Sequence, residues 1–205
     1  MAKQKPSHQI KQQEILDAAE ELFYQKGYRQ TTISDIVASL GMAQGAIYYY
    51  FPSKDSILDD LIKRHVNIFL ERIQIIKNKK ELSTQTKLQD ILKSFFTNMR
   101  NSDGSLLFEF LNNDPSLDFM PKLTKIFRHA IIPPLKDIIA EGQLSGEIKI
   151  THAQVGANII FALVYMILVS IYEHQDADIC LAQLLYSEKI IAETLGLTYF
   201  RIHTI

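Results

Sequence analysis

Between Gly41 and Lys54 the sequence reads GMAQGAIYYYFPSK, and the side chains in this stretch carry distinctive chemistry. Three consecutive phenols, Tyr48, Tyr49 and Tyr50, stand directly before Phe51, Pro52, Ser53 and Lys54. A buried tyrosine hydroxyl needs a hydrogen-bond partner, so three together in a core would strand polar groups. Placed on a helix, Ile47 and Phe51 are four apart and share one face. Gln44 and Tyr48 share another, with Gly45 and Tyr49 beside them, pointing away from the apolar side. Glutamine can pair with an adenine edge, and alanine, here Ala46, can touch a thymine methyl group. Tyrosine hydroxyls can donate to phosphate oxygens. Gly45 and Ala46 let a helix approach another surface closely. Lys54, at the start of the next helix, could add a charge-assisted phosphate contact. The amides around Thr32 could bind a second phosphate.

The elements that must position this stretch follow from periodicity. Ile33, Ile36, Val37 and Leu40 form one apolar stripe of a helix. Thr32 and Asp35 fit the Ser/Thr-x-x-Asp/Glu pattern that satisfies the free amides of a first turn. Gly41 ends that helix, and a short helix follows at about 44–51. Two short helices joined by a tight glycine-containing turn make a helix-turn-helix. Upstream, Ile15, Ala18, Ala19, Leu22 and Phe23 predict a first helix, capped by Ser7 and ended by Gly27. Pro52 stops the short helix, because its ring crowds Phe51. Ser53 then caps a long helix whose apolar face includes Ile57, Leu61, Ile62, Phe69 and Ile73. Further helices are predicted at about 85–100, 104–113, 117–142, 151–173 and 179–195. Pro133-Pro134 is expected to break or kink the third of these, and Gly142 and Gly146 to mark a loop. The chain therefore reads as all-α, with about nine helices.

The run TTISDIV from Thr31, followed by GMAQGAIYYYFPSK, resembles the signature of the tetracycline-repressor (TetR) family. The upstream ILDAAEELFYQKGYRQTT is similar to that family's first helix, so the likeness covers roughly residues 10–62. It implies an all-helical homodimer with a helix-turn-helix DNA-binding domain over residues 1–52 and a ligand-binding and dimerisation domain over 53–205. Carried over by position, Gln44, Gly45, Ala46, Tyr48 and Tyr49 would face bases or nearby backbone. Thr32, Ala43, Tyr50 and Lys54 would hold phosphates, although Tyr50, between Ile47 and Phe51, fits a core role equally well. Ala43 stands where serine is common and lacks its capping hydroxyl. Gln44 often reads as lysine in the family, and Val37 as alanine. These departures bear on operator sequence and affinity.

Composition sets the remaining bounds. The 205 residues carry a net charge of −1, which does not by itself announce a nucleic-acid binder. Residues 1–54 hold six basic side chains (Lys3, Lys5, Lys11, Lys26, Arg29, Lys54) against five acids. Lys3, Lys5 and Lys11 form a basic arm able to attract phosphate or to remain solvated. The single cysteine, Cys180, permits no intrachain disulfide, which suits the cytoplasm. The segment VGANIIFALVYMILVSIY, 155–172, carries no charge and sits at the lower limit for a spanning helix. Its polar interruptions and the lack of flanking cations favour a buried or interfacial helix, and no membrane partner is expected.

Segments 155–172 and 179–195 are the best sources of a dimer interface, since two helices from each subunit make a four-helix bundle. Internal packing within a monomer is the competing reading. A two-fold dimer would set two recognition helices about one DNA turn (~34–36 Å) or more apart and require a palindromic operator. For a ligand pocket the expected residues are His65, Phe69, Phe95, Met99, Phe108, Phe127, Asn158, Phe161 and Tyr165, which suit a small hydrophobic effector. No phosphate-binding glycine loop, His-Glu-x-x-His or paired-cysteine motif is present, so neither an enzyme nor a metal or other cofactor is expected. The favoured function is a DNA-binding regulator, most simply a repressor released by its effector. A small-molecule carrier or a ligand-independent DNA-binding protein is the alternative.

Overall fold

The computed structural model describes residues 8–100, 119–173 and 175–202. Among the described residues there are seven α-helices and one 3-10 helix, with no strand. They are α1 (His8–Lys26), α2 (Ile33–Ser39), the 3-10 helix (Gln44–Tyr49), α3 (Lys54–Lys77), α4 (Thr84–Arg100), α5 (Phe119–Ser145), α6 (Ala153–Tyr172) and α7 (Ala177–Leu195). The helix expected at 104–113 and the Ser7 cap lie outside the described residues. The chain divides into two compact units inside α3: the first extends to His65 and includes α5 as far as Lys122, and the second takes up at Val66.

In the first unit, α1 buries Ile15, Leu16, Ala19 and Phe23. Gly27 closes it at φ +83°, where a side chain would be strained, and its amide donates to the Phe23 carbonyl at 2.9 Å. α2 buries Ile36 and Val37 and ends at Gly41, φ +59°. Ile47 and Phe51 complete this core. Ser53 caps α3 as expected: its hydroxyl accepts from the Ser56 amide at 3.1 Å, and the Ser56 hydroxyl accepts from the Ser53 amide at 3.2 Å.

The second unit gathers the later apolar faces into one core. Phe69 and Ile73 of α3 meet Leu88, Ile91, Leu92 and Phe95 of α4, and Ile131 to Ile139 of α5. α6 contributes Ala157 and Ile160, and α7 Ile191 and Leu195. The chain after α7 returns to this core through Phe200 and Ile202, and the buried Glu188 carboxylate accepts the Ile202 amide.

α5 departs from the simplest sequence expectation in two places. Of the break or kink expected at Pro133 and Pro134, the break does not occur, and the helix runs through both. The prolines remove two donors, but Ile131, Ile132, Leu135, Ile138 and Ile139 are all buried on the helix's inner face, and that packing outweighs the loss. Gly142 lies within α5 and not in a loop. A Cβ there would come within 2.4 Å of Ile148 and 2.6 Å of Thr84, so the glycine serves a close approach.

Candidate nucleic-acid interface and effector core

The interface is built on the capping of α2. The Thr32 hydroxyl accepts from the Asp35 amide at 3.1 Å, and the Asp35 carboxylate accepts from the Thr32 amide and hydroxyl, each at 2.8 Å. Lys26 adds an ion pair to Asp35 at 3.1 Å. The Thr32 backbone amide, then its hydroxyl, then Lys26 draw the Asp35 carboxyl down to about 2.

After the Gly41 turn the chain makes a 3-10 helix where an α-helix was expected. Ala43 occupies the N-cap position in extended conformation with no side-chain cap, and the Ala46 amide returns to the Ala43 carbonyl at 2.9 Å. A six-residue segment without a capping hydroxyl cannot sustain the cooperative α ladder, and the tighter turn serves instead. The rows change accordingly: Gly45 aligns with Tyr48, and Ala46 with Tyr49. The polarity of the segment does not change. Ile47 is fully buried, whereas Ala43, Gln44, Gly45 and Ala46 are exposed, with Tyr48 53% and Tyr49 75% accessible. Gln44 donates from its amide to the Ser34 hydroxyl on α2 at 3.0 Å, a solvent-facing bond that orients it.

Neither backbone conformation nor close packing among the described residues requires a glycine at position 45. Its φ is not in the left-handed region, and a Cβ would meet nothing within 4 Å. Every other described glycine has either a positive φ or a neighbour within 3.4 Å of that Cβ. A glycine without an internal reason, in the middle of an exposed helix, leaves room for something outside the chain.

Tyr50 is half-buried and packs edge-on against Tyr49, centroids 5.1 Å apart. His8, the first residue of α1, lies against both rings, 4.9 Å from Tyr50 and 5.3 Å from Tyr49. Sequence periodicity missed His8, because forty residues separate it from its partners.

The Lys54 ammonium points inward. It donates to the carbonyls of Tyr28 at 2.7 Å and Thr31 at 2.8 Å, with Arg29 at 3.4 Å, and lies 4.2 Å from the Tyr28 ring centroid. The next residue, Asp55, accepts from the Tyr28 hydroxyl. Burial first, then that bond, raise the Tyr28 hydroxyl well above the ordinary phenol range. The start of α3 thus grips the α1–α2 turn.

Further along α3, His65 also faces α1 and is not grouped with the aromatic residues expected to line a pocket. Its Nε2 lies 2.5 Å from a Glu20 carboxylate oxygen. Arg64 donates to the other Glu20 oxygen and to Asp17, the latter at 2.5 Å. Burial resists ionisation of Glu20, but His65 and Arg64 outweigh it and hold the carboxyl below its ordinary range.

In the second unit Phe69, Phe95 and Phe127 do come together. Phe69 and Phe95 are 5.4 Å apart, Phe95 and Phe127 5.7 Å, and Phe96 lies 5.4 Å from Phe95. Phe161 packs against the same core as a partly buried residue. Asn158 accepts from Gln154 along α6 at 3.3 Å, and Tyr165 is half-buried. Phe108 and the side chain of Met99 lie outside the described residues.

A capped helix, a glycine turn and a short second helix with a polar, phenolic outer side define a helix-turn-helix DNA-binding protein. Residues 15–61 match the model of the bacterial regulatory proteins, tetR family. The fatty acid metabolism regulator protein of Bacillus subtilis is 32% identical over 141 residues, spanning 68% of this chain and 71% of that protein. The chain belongs to the tetR family and is a DNA-binding transcriptional regulator. Among solved structures, the regulator FadR from Bacillus subtilis in complex with stearoyl-CoA superposes with a TM-score of 0.63 at 24% identity, covering 90% of this chain and 97% of that one. A tetR-family regulator from Pectobacterium atrosepticum gives a TM-score of 0.73 at 18% identity, covering 97% of this chain and all of the other.

Proposed function

We propose that this protein is a homodimeric repressor that binds a palindromic operator in the cytoplasm and is released by a long-chain acyl thioester. The observation that carries the DNA half is the exposed ledge of Gln44, Gly45, Ala46, Tyr48 and Tyr49 above the buried Ile47 and Phe51. Gln44 and Ala46 meet base edges, Tyr48 and Tyr49 meet bases and backbone, and Gly45 allows the approach. Ala43 contributes exposed backbone near phosphate, whereas the Thr32 amide and hydroxyl are held by the Asp35 carboxylate, so Thr32 serves the α2 cap. Tyr50 acts from beneath Tyr49. Lys54 is engaged with carbonyls of the α1–α2 turn, so its role is to hold the module's shape.

The effector class rests on kinship with a regulator of fatty acid metabolism and on a solved relative that holds stearoyl-CoA. The cluster of Phe69, Phe95, Phe96 and Phe127 suits an acyl chain. Phe161, Tyr165, Asn158, Met99 and Phe108 complete the set of side chains to be tested around it. α3 is the mechanical link: one continuous helix carries Lys54 and Asp55 on the α1–α2 turn, Arg64 and His65 on α1, and Phe69 in the aromatic cluster. An effector that prefers one arrangement of that cluster biases the DNA module by its difference in affinity between the two states.

The experiment is selection of duplexes from a random pool, then titration of the bound duplex with stearoyl-CoA, free coenzyme A and stearate. A recovered palindrome released by stearoyl-CoA alone is expected. No enriched sequence would point to a carrier, and a palindrome that survives all three ligands would point to a ligand-independent binder.

A further inference from the structure

Gln44 is oriented before any duplex arrives. Its Nε2 donates to the Ser34 hydroxyl at 3.0 Å, across the turn between α2 and the 3-10 helix. Both side chains are exposed, so either could bond to water instead, and the contact adds little to the fold. Its geometry is nevertheless fixed from both sides. Ser34 stands inside the capping box, between Thr32 and Asp35, whose mutual bonds set the first turn of α2. Gln44 opens the 3-10 helix just after the Gly41 turn, where the Met42 amide returns to the Val37 carbonyl at 2.9 Å.

Resting on the reading of the ledge as the DNA surface, we propose that Ser34 is a positioning residue that makes Gln44 a reader of adenine. The hydrogen-bonding inventory of a primary carboxamide carries the argument: one carbonyl oxygen and two N–H groups. One N–H is committed to Ser34. What remains is one donor and one acceptor side by side. That pair complements the N7 acceptor and the N6 donor that adenine shows in the major groove. Guanine shows two acceptors there, N7 and O6, which call for donors from the glutamine and none of its oxygen. The bond to Ser34 withdraws one of those donors and sets the carbonyl oxygen against O6, an acceptor against an acceptor. Binding also costs a glutamine its rotamer freedom, so holding the amide beforehand favours the cognate contact.

The test is selection from a random duplex pool with the full chain as wild type, Q44A, S34A and S34T. Fluorescence anisotropy then compares duplexes that differ only at the base pair whose preference Q44A removes. Wild type is expected to select adenine there and to favour it over guanine by at least about fivefold. S34A should lose about two- to tenfold of that preference, and S34T, which keeps the hydroxyl, should restore it. The preference is a ratio between duplexes on one protein sample, so a change in the folded fraction does not move it. A base other than adenine at that pair, an unchanged preference in S34A, or a lost one in S34T overturns the role of Ser34 and leaves the ledge as the DNA surface. No sequence enriched by the wild type, or every preference retained in Q44A, overturns both the ledge reading and the role built on it.

Discussion

At the scale of single residues, Gly45 separates the needs of the fold from those of the function. Substituting it costs the fold nothing visible, because its backbone is ordinary and no atom lies within 4 Å of the missing Cβ. G45V is therefore expected to leave the thermal midpoint within about 2 °C of wild type, a shift well under 1 kcal/mol for a domain of this size. The same branched side chain on the ledge should weaken operator binding by at least tenfold. Unfolding and anisotropy on one sample check both halves, and an unchanged affinity would place the duplex on another surface. Asp35 makes a different prediction. Its carboxyl is drawn down to about 2, below its ordinary value near 4, so the unfolded chain binds the proton first as pH falls. Its contribution is fully present above pH 4 and is lost between about 4 and 2. Denaturant unfolding of wild type and D35N should differ at pH 6 and converge by pH 2. Thr32 and Asp35 were legible as a capping box because both partners lie within one turn. The partners of Lys54 and His65 were not legible, because they lie 26 and 45 residues away and no local pattern announces a carbonyl cage or a glutamate on another helix.

At the scale of elements, the first turn of α3 is tied to the α1–α2 turn through Lys54. K54M retains most of the aliphatic stem but leaves the Tyr28 and Thr31 carbonyls without their donor. A cost of ~1–3 kcal/mol follows for partly buried acceptors left unsatisfied. Y28F removes only the hydroxyl bond to Asp55 and should cost less, about 1 kcal/mol. Operator affinity should fall in the same order, measured alongside urea unfolding. A K54M protein of wild-type stability with a reduced salt slope would instead restore Lys54 to the phosphate backbone. Among the described residues, helix existence was readable because apolar stripes at 3.6-residue spacing recur in the long elements. The failures came where tertiary packing overrides a local rule. α5 continues through two prolines because five isoleucines and leucines on one face are buried around them, and Gly142 stays helical because Thr84 and Ile148 press against it. The short helix adopted the tighter 3-10 form for want of a cap, a choice too small for periodicity to register over six residues.

At the scale of the whole molecule, the decisive fact is how much apolar surface one chain leaves uncovered. The span Ala153–Ile171 is long and apolar enough to cross a membrane, yet only 28% of its most apolar window is buried within the chain. α6 packs along α7, and the pair still exposes Val155, Met166, Ile179, Leu181, Leu185, Tyr186 and Ile190. Exposed apolar surface of this kind marks an interaction site, and a second copy related by a two-fold axis would cover it with the same surface. α6 and α7 from each copy would then form a four-helix bundle. Placing a charge in that bundle tests dimerisation separately from DNA reading. Leu181 and Leu185 are exposed near the start of α7, on the stripe that is buried further along at Ala192 and Leu195, and neither is part of the core, so each protomer of L181E or L185E should keep its helical content. Sedimentation velocity should shift from a dimer to a monomer of 23.5 kDa at micromolar concentration. Operator affinity should fall by at least a hundredfold, because a single ledge loses the second site's effective concentration. A half-site duplex should bind wild type and variant equally weakly. If L185E stayed dimeric and bound the full operator as wild type does, the exposed face of α6 and α7 would have to be covered by something other than a second copy.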